Sequence, residues 1–286
     1  MERMAPAGVN AAQIEYWNGP AGDRWARSAD TQDVMIGGLG MAALDACRIE
    51  PGHAVLDIGC GSGSTTLEIA KRTGSAGLVV GIDISGPMLG VANKRRGDAG
   101  LSNIRLENRD AATHDFEEAV FDRVFSRFGV MFFVDPVLAF QNIRKAVKAE
   151  GRLAFVCWQT RTENQWMEFP FGIALRHAPP PPPAQPNEPG PTAFADPERV
   201  HRILSESNFG DIRIEPLVSP LMLGDDIATA VERLIQLGPT GRLLRDASTE
   251  VKTAIAADLT EELPPFLTDD GVKMKGSVWI VTASAT

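Results

Sequence analysis

The stretch Val55-Leu56-Asp57-Ile58-Gly59-Cys60-Gly61-Ser62-Gly63 decides how this chain is read. Its opening is an apolar run with one carboxylate, which suits a buried strand. The alternating glycines then end that strand in a tight turn, and a helical pattern begins at Ser64. Glycine suits such a turn because the backbone bends sharply and approaches a ligand closely, where a Cβ would collide. A dinucleotide fingerprint spaces its glycines G-x-G-x-x-G. Here the third glycine comes one position early, and Asp57 stands two before the first.

Outward from this turn, residues 53–158 alternate short β-branched runs with amphipathic patterns, which predicts a parallel sheet with helices on both faces. Strands are expected at 54–58, 78–83, 104–107, 123–126 and 152–158, and helices at 64–71, 87–96 and 136–148. The last helix opens on Asp135-Pro136, an N-cap followed by a proline that has no intrahelical partner to lose. Its apolar stripe is Ala139, Ile143 and Val147, with Phe140 alongside. Upstream, 11–17 and 34–48 read as helices, with Asn18-Gly19-Pro20 ending the first. Downstream, Pro179–Pro183 predicts an extended surface spacer. A helix from Asp196-Pro197 to about Ser207, a strand at 212–218, a largely helical stretch at 225–263 and a final strand at 277–283 complete the pattern. The expected organisation is a helical cap (1–50), a core (51–160), a proline-rich insertion (161–195) and a C-terminal part of the sheet (196–286).

Composition limits the function classes. The chain has 286 residues, 44% of them hydrophobic, enough for a full core. A formal net charge of -9 repels phosphate backbones, and the clusters Lys94-Arg95-Arg96 and Arg144, Lys145, Lys148 read as solvated helix faces, so no nucleic acid partner is expected. Three scattered cysteines, Cys47, Cys60 and Cys157, suit neither a disulfide framework nor a zinc site and point to a reducing compartment. No apolar run has the length of a signal peptide or a membrane span, which makes the cytoplasm the default.

Three further signals follow in order. Gly81-Ile82-Asp83-Ile84-Ser85 puts a carboxylate at the end of the next strand, about 20 to 25 residues past the glycine turn, where it can accept from both hydroxyls of an adenosine ribose. Asn108-Arg109-Asp110-Ala111-Ala112 follows the third strand. Phe121-Asp122-Arg123-Val124-Phe125-Ser126-Arg127-Phe128-Gly129-Val130-Met131-Phe132-Phe133 spans the fourth.

Together with the glycine turn, these segments resemble the class I S-adenosylmethionine-dependent methyltransferases over roughly residues 50 to 160. Phe194-Ala195-Asp196-Pro197 and the turn Ser207-Asn208-Phe209-Gly210 resemble the ubiquinone/menaquinone-biosynthesis branch. The resemblance implies a Rossmann-like, doubly wound α/β sheet of seven strands, the last antiparallel, with residues 225–263 inserted as a helical lid. It implies that S-adenosylmethionine is held by Asp57, Gly59, Cys60, Gly61, Gly63, Asp83, Ile84, Met88, Asp110, Ala111 and Ser126, with Asp110 accepting from the adenine amino group.

A sulfonium methyl is already electrophilic, so such an enzyme mainly aligns its partners and excludes water, and no catalytic triad is expected. A small organic acceptor attacks through O, N or C and S-adenosylhomocysteine is released. Acceptor-side candidates are His114 as a base, Tyr16 near Trp17 and Trp25, and Arg127 as a partner for a substrate anion. Tyr16 and Arg127 have structural alternatives, hydrophobic anchoring and an internal ion pair. Trp158 and Trp166 are candidates for a pocket wall or for core packing. No metal requirement is expected. A nicotinamide-dependent oxidoreductase would share the glycine turn and Asp83 but does not need Asp57 or Asp110-Ala111. A non-catalytic module keeping the cofactor fold is the other alternative.

Overall fold

The structure is a computed structural model that describes residues 3–4, 8–182 and 188–285. Its contacts divide the chain into two units. The first comprises Met1–Cys157, Pro189–Pro216 and Trp279–Thr286, and the second comprises Trp158–Glu188 and Leu217–Val278.

The first unit is built on β1 (Ala54–Ile58), β2 (Leu78–Asp83), β3 (Ile104–Asn108), β4 (Phe121–Arg127) and β5 (Val147–Trp158). β6 (Phe209–Gly224) and β8 (Gly271–Ala285) extend the sheet, in the order β3-β2-β1-β4-β5-β8-β6, while the short β7 (Leu267–Thr268) pairs antiparallel with β8. The expected doubly wound sheet is therefore present. β1 and β2 have the limits read from the sequence, because in both a β-branched run stops where turn residues begin.

Register sets up everything that follows. β1 runs parallel to β2 with Ile58 beside Ile82, and β2 runs parallel to β3 with Asp83 beside Asn108. The glycine turn, Asp83 and the segment after Asn108 thus leave the sheet at one carboxyl edge. β1 has β2 on one side and β4 on the other, so the strand order reverses there, and ligands of open α/β sheets bind at such a point.

The helices follow local chemistry. α4 (Ser64–Thr73) starts at the last glycine of the turn and stops at Gly74, whose φ of 66° no L residue adopts cheaply. α5 (Gly86–Asp98) is capped by Ser85, whose hydroxyl accepts from the Met88 amide. In α6 (Pro136–Ala146), Asp135 accepts from the Leu138 amide, as its sequence predicts. α6 is shorter than the expected 136–148, because the chain turns extended at Val147 and joins β5 there. Ala139, Phe140 and Ile143 are buried as its core stripe, and Phe140 packs against Phe155, Phe194 and Phe209.

At the N-terminus, α1 (Ala11–Asn18) and α3 (Ala29–Cys47) answer to the two helices expected, with α3 starting earlier, and α2 (Pro20–Arg27) lies between them. The first helix ends at Asn18, as read, and Pro20 opens the next one. It occupies the first turn of α2, the one helical position where a missing amide costs nothing.

The second unit contains α7 (Gln165–Ala174), α9 (Ile227–Leu234), α10 (Gly238–Leu243) and α11 (Thr249–Glu262), while α8 (Pro197–Glu206) belongs to the first unit. The helical reading of 225–263 thus resolves into three helices. The segment 161–195 holds α7, which includes Pro170 and was not anticipated. Residues 179–182 are exposed and carry neither helix nor strand, while Pro183 lies outside the described residues. Asn164 joins this unit's segments: its side chain donates to the Ser277 carbonyl at 3.0 Å and accepts from the Ser277 amide at 2.8 Å. No helix among the described residues is long and apolar enough to cross a membrane.

Candidate active site at the carboxyl edge of the sheet

The turn after β1 has Gly59, Gly61 and Gly63 at φ of 64°, 55° and 81°, the left-handed region that favours glycine. A Cβ on Gly59 would lie 2.9 Å from the Gly129 Cα, and one on Gly61 would lie 2.7 Å from the Met88 methyl. The turn is therefore a backbone cradle packed to its limit. Gly59 and Cys60 both donate main-chain N–H to the Ile82 carbonyl, at 2.9 and 3.2 Å, which fastens the cradle to β2.

Asp83 stands at the lip of the cradle. It accepts from the Gly61 amide at 2.8 Å with one oxygen and from the Ser85 amide at 2.7 Å with the other. Burial outweighs those two bonds and pushes its pKa up to about 6. Each carboxylate oxygen still has a lone pair to offer, so this pair of acceptors fits the two hydroxyls of a vicinal diol. Ile84 is half-buried and its carbonyl accepts from Asn18, while Met88 begins α5 under the cradle.

Asp57 plays a different part. It is fully buried, and one of its oxygens accepts from the Thr66 hydroxyl at 2.6 Å and from Thr65 at 3.2 Å, tying β1 to the start of α4. The other oxygen, Oδ1, has no hydrogen-bond partner among the described residues. Burial raises its pKa to about 6. Ser126 is equally committed: its hydroxyl donates to the Ile58 carbonyl at 2.8 Å and accepts from the Gly129 amide. Both side chains shape the turn from behind.

Asp110 is buried, and the Asn10 amide nitrogen sits 3.0 and 2.8 Å from its two oxygens, with the Ala112 amide also donating at 2.9 Å. Ala111 is buried beside it. Cys60 is buried inside the turn, and burial pushes its thiol pKa well above the usual range, so it is no nucleophile.

The acceptor-side candidates are placed as follows. Arg127 donates to Asp33 at 2.9 Å, and Asp33 also receives Arg95, whose guanidinium reaches the Ser62 carbonyl of the cradle at 3.1 Å. Arg127 thus belongs to an internal ion network. His114 has Glu107 at 3.8 Å and the Phe116 ring edge-on at 4.7 Å. Tyr16 meets Trp17 edge-on, and Trp17 meets Phe132 and Trp25 in the same way. In the second unit, Trp158 and Trp166 pack together at 5.0 Å and are buried.

Three contributors escaped the sequence reading. Asn10 carried no reading of its own, and Asn18 was read only as a turn residue, yet Asn18 accepts from the Gly86 amide and donates to the Ile84 carbonyl, holding α1 against the turn after Asp83. Asp33 carried no signal at all, since its partners are 62 and 94 residues away in sequence.

Residues 49–181 match the family model described as a methyltransferase domain. The matched segment contains the glycine cradle, Asp83 and Asp110. Among sequence relatives, the aklanonic acid methyltransferase of a Streptomyces species is 38% identical over 117 residues, which is 41% of this chain and 53% of that enzyme. The ubiquinone/menaquinone biosynthesis C-methyltransferase of Cellvibrio japonicus is 34% identical over 126 residues, 42% of this chain and 51% of that enzyme. The chain spans about half the length of these relatives. A solved phosphoethanolamine N-methyltransferase of Haemonchus contortus, complexed with phosphomonomethylethanolamine and S-adenosylhomocysteine, shares the fold with a TM-score of 0.59 at 18% identity. That match covers 95% of this chain and 59% of that one.

Proposed function

We propose that the protein binds S-adenosylmethionine at the carboxyl edge of β1 and β2 and transfers its methyl group to a small organic acceptor. The observation that carries this reading is the bond from the Gly61 amide to Asp83, which joins a cradle without side chains to a carboxylate suited to a ribose. The relatives named for aklanonic acid and for ubiquinone/menaquinone biosynthesis support a small-molecule acceptor.

The bound cofactor supplies a methyl group made electrophilic by its sulfonium sulfur. The chain's own residues supply position. Gly59, Gly61 and Gly63 let the backbone approach closely, Asp83 is the acceptor for the ribose hydroxyls, and Asp110 is the acceptor for the adenine amine. Asp57, Ser126 and the Asp33-Arg95-Arg127 network hold the loops that carry these groups. Catalysis of this kind rests on alignment and exclusion of water and assigns no base.

Residues 225–263 are read as a lid serving acceptor turnover, so their deletion is expected to abolish turnover while sparing cofactor affinity; equal loss of both would remove the lid from the reading. Three buried free cysteines and the acidic charge support a cytoplasmic protein without a nucleic acid partner.

Calorimetric titration of the purified protein with S-adenosylhomocysteine and with NAD tests the reading. Saturable heat with the first and none with the second is expected. The reverse would establish the oxidoreductase alternative, and cofactor binding without methyl transfer to any of a panel of phenolic and quinol acceptors would favour the non-catalytic module.

A further inference from the structure

Asn10 immediately precedes α1, the position where asparagine usually accepts from an amide of its own helix. It does not do so here: no side-chain cap is formed, although its main-chain carbonyl accepts from Ile14 at 2.9 Å. Its carboxamide is spent elsewhere. The nitrogen stands before the Asp110 carboxylate, 3.0 Å from one oxygen and 2.8 Å from the other, and Oδ1 accepts from the Val134 amide at 3.3 Å. An –NH2 group facing both oxygens of Asp110 is the arrangement that the adenine amine of the proposed cofactor needs. Asn10 and Asp110 are only 3% and 5% exposed, so the carboxamide closes the face on which that amine would arrive.

We propose that Asn10 is a displaceable plug of the adenine subsite, a residue that sets cofactor affinity by occupying Asp110 until the adenine amine replaces it. The inference rests on the cofactor reading above. The displaced carboxamide has a second role waiting, since its oxygen can cap the first turn of α1, a bond that asparagine forms readily at this position. Exchange of the carboxamide N–H groups for those of the adenine amine on Asp110 leaves the buried carboxylate paired in both states, which avoids the cost of an orphaned charge. A plug closed in about nine molecules of ten lowers apparent affinity about tenfold, because only the open fraction binds.

Two substitutions test this. Asn10→Ala removes the plug. Asn10→Asp removes the donor, sets a like charge against Asp110 and keeps a good cap acceptor. Both are expected to bind S-adenosylhomocysteine about tenfold more tightly than the wild type by calorimetry, with a lower melting temperature for the free protein and a nearly unchanged one for the saturated protein. If the wild type binds and both variants bind equally or more weakly, with free and saturated proteins destabilised alike, Asn10 is a fixed wall of the site and the plug is overturned. If the folded wild type gives no heat at all, the cofactor reading itself has failed, and the plug falls with it.

Discussion

The main-chain amide of Gly61 donates to the carboxylate of Asp83 at 2.8 Å, across 22 residues of sequence. Cradle and carboxylate therefore form one object, held together before any ligand arrives. Asp83→Ala removes the acceptor for both ribose hydroxyls and unties Gly61. With charge-assisted bonds contributing roughly 1.5–3 kcal/mol each, S-adenosylhomocysteine affinity is expected to fall about a hundredfold or more. Affinity should also decline as the pH drops below about 6, where Asp83 takes up a proton. Titrations of both proteins at pH 5 and pH 7.5 check this, and a pH-independent affinity near the wild-type value in the variant would exclude Asp83 from the site.

Asp57 gives a stability signature of its own. Burial raises its pKa from the ordinary 3.8 to about 6 in the folded protein, so between those values the native state holds the extra proton. Its contribution is complete below about pH 4 and is lost as the pH rises through about 6. For a shift of this size the loss is on the order of 3 kcal/mol. The Asp57→Asn variant has no such titration. Urea denaturation at pH 4 and pH 7 should therefore show the wild type losing stability relative to this variant by about that amount; a constant difference between the two would show that Asp57 does not titrate there.

Gly59→Ala separates steric from conformational cost. The new Cβ would sit 2.9 Å from the Gly129 Cα, a backbone atom that cannot rotate away. Gly52 also has a positive φ, 85°, but an open surrounding, so Gly52→Ala carries only the left-handed penalty of about 1–2 kcal/mol. Gly59→Ala is expected to lower the melting temperature more than Gly52→Ala and to eliminate S-adenosylhomocysteine binding, which Gly52→Ala preserves. Equal melting of the two variants would mean that the cradle has slack.

The sheet and the cradle were legible because their signals are local. Ala54–Ile58 and Leu78–Asp83 are bounded by turn residues, and three glycines at alternate positions announce a backbone that must bend. What escaped were partnerships between distant segments. Asn10 meets Asp110 across 100 residues and Asn18 meets Ile84 across 66, and no periodicity encodes such pairs. α2 was missed for a different reason, since Asn18-Gly19-Pro20 carries the chemistry of a turn and of a helix start alike, and only packing decides between them. Ser126 sat in the right strand, but the direction of its hydroxyl, toward Ile58, depends on the register of β4 on β1.

Arg127 was a candidate for holding an anionic acceptor, and its geometry argues for a supporting role. Its guanidinium and that of Arg95 share the Asp33 carboxylate, one oxygen each, and Arg95 continues to the Ser62 carbonyl in the cradle. Arg127 is largely buried, so Arg127→Met removes one of two cations from the half-buried Asp33 carboxylate while keeping most of the volume. Because Asp33 is partly exposed and retains Arg95, the expected cost is about 1 kcal/mol, less than for a buried ion left alone. The disturbance passes along Asp33 and Arg95 to Ser62, so cofactor affinity should weaken severalfold. Once an acceptor is found, its KM should change by the same factor for neutral and for carboxylate-bearing analogues. A KM that rises tenfold for the anionic analogues alone, with stability and cofactor affinity intact, would return Arg127 to the acceptor site.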